Sequence, residues 1–100
     1  MPHLCFCIDK PGNPDIRTEF MAEHLAYIET ILDKVAVAGP LKPAADDDPD
    51  ASCFIYHTES REEAMSLLHN DPYYGAGLWS SVICEYFLPA AGTWIGGKIW

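Results

Sequence analysis

Basic side chains are scarce in this chain. Six Lys and Arg stand against 15 Asp and Glu, for a formal charge of -9. A surface of that sign repels a phosphate backbone and an anionic lipid headgroup, so neither nucleic acid nor a membrane is expected as a partner. No apolar run approaches the ~20 residues that span a bilayer. Met1-Pro2-His3-Leu4 does not lead from a basic region into a long apolar core, so no signal peptide is expected, and the expected location is cytoplasmic. Phosphate-binding loops, metal motifs and a Ser-His-Asp order are all missing. The cysteines are few: Cys5, Cys7, Cys53 and Cys84. Cys5 and Cys7 lie two apart in a strand-like run, which points both to one face and does not suit a mutual disulfide. Their spacing fits neither a zinc ribbon nor a thioredoxin motif. All four are expected to be reduced and mostly buried, with no metal and no cofactor.

What is present is enough for one globular domain of 100 residues, 49% of them apolar. His3–Asp9 alternates Leu4, Phe6 and Ile8 with Cys5 and Cys7 and predicts a strand. Lys10-Pro11-Gly12-Asn13-Pro14 is a turn, with Asn13 as helix cap and Pro14 as first helical residue. The helix is expected to run to Asp33 or Lys34. Val35–Ala38 reads as a second strand ended by Gly39-Pro40. Residues 42–51 carry Asp46, Asp47, Asp48 and Asp50 with two prolines and form an exposed acidic loop. They lack the glycine and distal glutamate of a calcium loop. Ser52–Thr58 is a third strand. Ser60-Arg61-Glu62-Glu63 matches a capping box for a second helix, which should stop near Asn70 because Pro72 disfavours helix at Asp71. Ser80–Leu88 is a fourth strand.

The order β-α-β-β-α-β predicts a ferredoxin-like α+β fold, an antiparallel sheet with two helices on one face. Apolar groups such as Cys5, Cys7, Tyr56 and Cys84 are read as lying on more than one sheet face. An uncovered apolar face predicts a homodimer with the sheets facing each other. Residues 1–88 make up this domain. Residues 89–100 form a C-terminal extension with two tryptophans and two isoleucines, which either adds a strand to its own sheet or docks on a partner subunit.

Within the first helix, Phe20, His24, Tyr27, Ile28 and Ile31 recur at helical spacing and share one stripe. Arg17 lies two turns before His24, near the same line. An imidazole on an apolar stripe needs a partner.

The chain resembles the YCII-related family of small dimeric α/β-barrel proteins over about residues 3–88. The resemblance is carried by Asp9-Lys10, Arg17, His24-Leu25-Ala26, Ala38-Gly39-Pro40-Leu41, and Asp71-Pro72-Tyr73 with Gly77. It implies the dimeric barrel and a site centred on a histidine and an aspartate, which fall on His24 and Asp71. It also implies lyase or isomerase chemistry, because one relative is a dehydrochlorinase of a hydroxylated aromatic ring.

An Asp71 carboxylate on one imidazole nitrogen would set the His24 tautomer and leave the other nitrogen to move a proton. Arg17 would hold a carboxylate or phenolate oxygen. Tyr73 or Tyr74 would stack on a ring, and the backbone at Gly39 and Pro40 would approach a ligand closely. Two functions compete: a small lyase or isomerase with His24 as general acid or base, and a non-catalytic protein that binds a small molecule in the same pocket. A cavity beside a paired His24 favours the first.

Overall fold

The structure is a computed structural model, and it describes residues 1–12 and 15–100. The expected cap at Asn13 and Pro14 lies outside the described residues. In chain order the elements are β1 (Pro2–Asp9), α1 (Asp15–Thr30), β2 (Val35–Leu41), β3 (Ala51–His57), α2 (Arg61–His69), α3 (Pro72–Gly75), β4 (Trp79–Tyr86), and the short strands β5 (Ala91–Gly92) and β6 (Gly97–Lys98). The main sheet runs β2-β3-β1-β4, antiparallel throughout. That order and the helices across it are the expected ferredoxin-like α+β arrangement.

Local chemistry accounts for most boundaries. Ser60 caps α2 by accepting from Glu63 N–H at 3.1 Å. The return bond of the box goes one residue further out, from Glu59 N–H to Glu63 Oε2 at 3.2 Å. The helix ends at His69 with Asn70 as its cap. The chain does not stay irregular after that: Asp71 caps α3, with Pro72 at its first position. Tyr73 C=O accepts from Leu78 N–H and Tyr74 C=O from Gly77 N–H, a Schellman ending that needs the left-handed φ of +76° at Gly77. Helix α1 stops at Thr30, short of the expected Lys34, and a 3₁₀ turn over Leu32–Lys34 carries the chain into β2. Strand β2 runs on through Gly39-Pro40 to Leu41 instead of ending at Ala38. Only one side of this edge strand is paired, so a residue without an N–H is tolerated. Strand β4 starts one residue earlier than expected, at Trp79, and ends two earlier, at Tyr86.

The faces of the sheet differ from the expectation. His3, Cys5 and Cys7 of β1 sit opposite Tyr56, Phe54 and Ser52 of β3 and opposite Tyr86, Cys84 and Val82 of β4. Cys5, Cys7, Tyr56 and Cys84 therefore share one face, under the helices, and all are buried. They form the core with Phe54, Ile31, Ala64, Leu68, Tyr73 and Leu78. The opposite face is built by Leu4, Phe6, Ile8, Val37, Ile55 and Ile83, half-buried or exposed in the single chain. Side chains two apart share a face, so one alternation explains both sets.

The C-terminal extension does not join the main sheet. It folds back on itself as the β5–β6 hairpin. No helix among the described residues is long and apolar enough to cross a membrane.

Candidate functional site

Helix α1 crosses the sheet above β3 and the edge strand β2. Its inward row begins at Arg17 and continues through Phe20, His24, Tyr27, Ile28 and Ile31, and Arg17 and Ile31 are fully within the buried set. Beneath part of this row β2 offers only Ala38, Gly39 and Pro40. Small residues opposite a helix leave a gap that branched side chains would have filled. The gap is a cavity of about 230 Å³ bordered by Arg17, His24, Gly39, Pro40, Phe54 and Tyr73.

His24 is held on three sides. Its Nδ1 lies 2.8 Å from Asp71 Oδ2 and 2.9 Å from Oδ1. The Asp71 carboxylate only accepts, so Nδ1 is the donor of this pair, and the tautomer it selects has its lone pair on Nε2. Tyr73 stacks on the imidazole with ring centroids 4.1 Å apart, and Phe54 meets it edge-on at 6.2 Å. No described residue bonds to Nε2, and the His24 side chain is 15% exposed.

Asp71 has two tasks. Its Oδ1 also accepts from Tyr73 N–H at 2.9 Å and so caps α3. The carboxylate is fully buried. One residue thereby anchors both the helix start and the imidazole. Its negative charge reaches its neighbours: burial first, then Asp71, pushes the Tyr27 phenol up, and the same two causes lead the rise of the Cys7 thiol to about 12.

Arg17 is tied more tightly than the sequence suggests. Its Nε and Nη2 pair with the Asp9 carboxylate, Nη2 at 2.8 Å, and Nη2 also reaches Ala51 C=O at 3.0 Å and Ser52 Oγ at 2.8 Å. The ion pair is nearly buried. Among the described residues no acceptor takes the Nη1 hydrogens, and Arg17 borders the cavity. The guanidinium also lies 5.6 Å from the Tyr73 ring centroid. Tyr73 O–H donates to Arg17 C=O at 3.0 Å. Burial holds this phenol above its ordinary range, which keeps it a donor.

Six of the seven residues singled out in the sequence therefore meet. His24 and Asp71 are in contact, and Arg17, Gly39, Pro40 and Tyr73 border the same cavity. Tyr74 does not: it is 40% exposed, packs at 4.4 Å against His69, and borders a separate depression with Trp79. Consecutive residues on a short helix point about 100° apart, so only one of the two tyrosines can face α1. Sequence reasoning missed Asp9 as the Arg17 partner, and Ser52, Phe54, Met21, Leu25 and Pro49 as cavity walls. Met21 and Leu25 had a signal, since they continue from Arg17 at steps of four. Pro49 and Ser52 had none, because they arrive from the far end of the acidic loop.

The chain matches the YCII-related domain over residues 1–87. Among solved structures it is similar to 5-chloro-2-hydroxyhydroquinone dehydrochlorinase from Burkholderia phenoliruptrix, in complex with 2,5-dihydroxybenzoquinone, at 34% identity and a TM-score of 0.82. That match covers 93% of this chain and 97% of the other, so it reaches into the C-terminal extension beyond residue 88. The fold also recurs in a NIPSNAP family protein from Agrobacterium tumefaciens, at 16% identity and a TM-score of 0.53 over 89% of this chain and 91% of that one. No curated protein sequence matches.

Proposed function

We propose, from the premise that this chain belongs to the YCII-related family, that it is a lyase or isomerase moving a proton on a small hydroxylated aromatic. The single observation that carries the reading is the His24 ring: Asp71 occupies Nδ1, and Nε2 is left to the cavity. The nature of the dehydrochlorinase's substrate and the aromatic walls Phe54 and Tyr73 support the choice of substrate class.

Nε2 takes the proton of a ring hydroxyl and becomes imidazolium, which the Asp71 carboxylate stabilises. The phenolate charge moves into the ring. Return of the proton to a ring carbon gives the keto isomer, an isomerisation. Where that carbon bears chlorine, a second ring-hydroxyl proton then leaves to Nε2, its O–H electron pair becomes C=O and the conjugated ring expels chloride, an elimination that releases HCl overall. Arg17 Nη1 donates to the developing oxyanion while Asp9 holds the guanidinium in place. Neither route changes the total electron count, so no external oxidant or reductant is called for.

The protein acts as a homodimer in this reading, with the apolar faces of two sheets against each other. The exposure of Ile8, Val37 and Ile83 supports it. The test is incubation with chlorinated and unchlorinated hydroxyhydroquinones, following halide release and quinone absorbance. Turnover that disappears in His24→Asn is expected. Turnover that persists in His24→Asn removes the histidine from the chemistry. Ligand shifts in the NMR spectrum without turnover favour the binding-protein alternative.

A further inference from the structure

Two features lie outside this chemistry: the acidic loop and the C-terminal hairpin. In the single chain the hairpin stands off its own sheet. Trp94 is 87% exposed, Trp100 74% and Ile99 61%. The space between Trp94, Ile95 and the strands under them is about 520 Å³, far too open for a packed contact. It lies at the Pro2 end of β1, beside Val37, Ile55 and His57 on the open face.

The other end of β1 carries a cup of about 490 Å³ on the same open face. Phe6, Ile8, Pro11, Pro49 and Ala51 form its walls, and its charged lining is Asp9, Lys10 and Asp50. Hairpin and cup are separated by the length of β1, about 23 Å at ~3.3 Å per residue. The hairpin starts from Phe87, whose N–H is fixed to Pro2 C=O at 3.0 Å, and turns back on itself. It does not reach its own cup.

We infer that the C-terminal hairpin of one copy seats in the cup of a second copy. A two-fold axis lying between the facing sheets and across their strands carries each hairpin over its partner's cup, so both contacts form together. The charges agree with this occupant. Lys98 is the one charged side chain in residues 89–100. In the cup Asp9 is paired with Arg17 and Lys10 stands against Asp50, which ends a loop that also carries Asp46, Asp47 and Asp48 in sequence, so the acidic excess comes from that loop. A chain of charge -9 otherwise repels its copy. The contact also bears on the site, because Pro49 borders both the cup and the His24 cavity, and Asp9 at the rim holds Arg17. A seated hairpin therefore fixes the loop that forms one wall of the partner's cavity.

The inference rests on the sheet-to-sheet homodimer proposed above, and the experiment separates the two. Sedimentation equilibrium of the full chain, Trp94→Ala, a chain ending at Leu88, and the swaps Lys98→Asp and Asp50→Lys is the first measurement. The expected result is a wild-type dimer whose dissociation constant rises by about 30-fold in Trp94→Ala, a change typical of a buried tryptophan anchor. Each single swap weakens it, and the two together restore it. Isotope-filtered NOEs in a mixed-label dimer should join the Trp94 indole to the Ile8 methyls across chains. A dimer whose affinity is unchanged by Trp94→Ala and by truncation overturns the inference and leaves the sheet interface standing. A monomeric wild type overturns both. NOEs from Trp94 confined to its own chain also overturn it.

Discussion

Asp71 holds His24 through Nδ1 at 2.8 Å while the same carboxylate caps helix α3 through Tyr73 N–H at 2.9 Å. The two residues are 47 positions apart, and the pair closes the space between α1 and the turn after α2. On the proposed function, a substitution there is expected to alter turnover and folding by separable amounts. Asp71→Asn keeps an acceptor for Tyr73 N–H but withdraws the negative charge from beside the imidazole. Turnover is expected to fall about 10²–10⁴-fold with the melting temperature little changed. Asp71→Ala also loses the cap, for a further stability loss of about 1 kcal/mol. Steady-state rates and urea midpoints of the two variants check this. Equal rate losses accompanied by unfolding in both would reduce Asp71 to a cap.

Arg17 and Asp9 join α1 to the end of β1 in a nearly buried ion pair. Removing one partner leaves a charge without its counterion. Arg17→Met is expected to cost about 3–5 kcal/mol. Asp9→Asn in the same chain should recover part of that loss, since a neutral amide then replaces the unpaired carboxylate. A double-mutant cycle by urea denaturation measures the coupling. If the two losses simply add, the pair contributes nothing as a pair.

Alkaline pH should unfold the protein earlier than its surface charge alone would. Burial pushes the Cys7 thiol from 9.0 up to about 12 and raises the Cys5 thiol and the Tyr56 phenol further. Each of these groups is neutral when protonated, and each binds its proton more tightly folded than unfolded. The stability they contribute is full below about pH 9 and is lost as pH rises through the folded values. The expected slope for one such group is about 1.4 kcal/mol per pH unit. Urea midpoints in reducing buffer between pH 8 and 11 test it, and Cys7→Ala should flatten the fall. An equal slope in that variant assigns the alkaline loss elsewhere.

Much of the fold was legible because local rules wrote it. The capping serine at Ser60, the stop before Pro72 and the two-residue alternation of β1 each depend on neighbours a few positions away. The continuation of β2 through Pro40 was not legible, because the tolerance for a missing donor depends on the strand's being at the sheet edge. The assignment of Cys5 and Cys84 to one covered face needed the β1–β4 register, in which they sit opposite each other.

For the site, the periodicity of α1 put His24 among inward residues, and its need for a partner follows from the cost of burying an unpaired polar group. Spacing alone did not choose that partner; Asp71 came from the family resemblance. The Asp9 grip on Arg17, the stack of Tyr73 under the imidazole and the exclusion of Tyr74 came only with the tertiary structure. These depend on angles between elements, and no one-dimensional pattern carries an angle. The amino-acid sequence by itself determined the four long strands, the two long helices, their order and the inward row of α1, through propensity, capping and period. Packing decided which nitrogen of His24 stays open and how much space lies in front of it, because both depend on groups brought together from α1, β2, β3 and the α2–α3 turn.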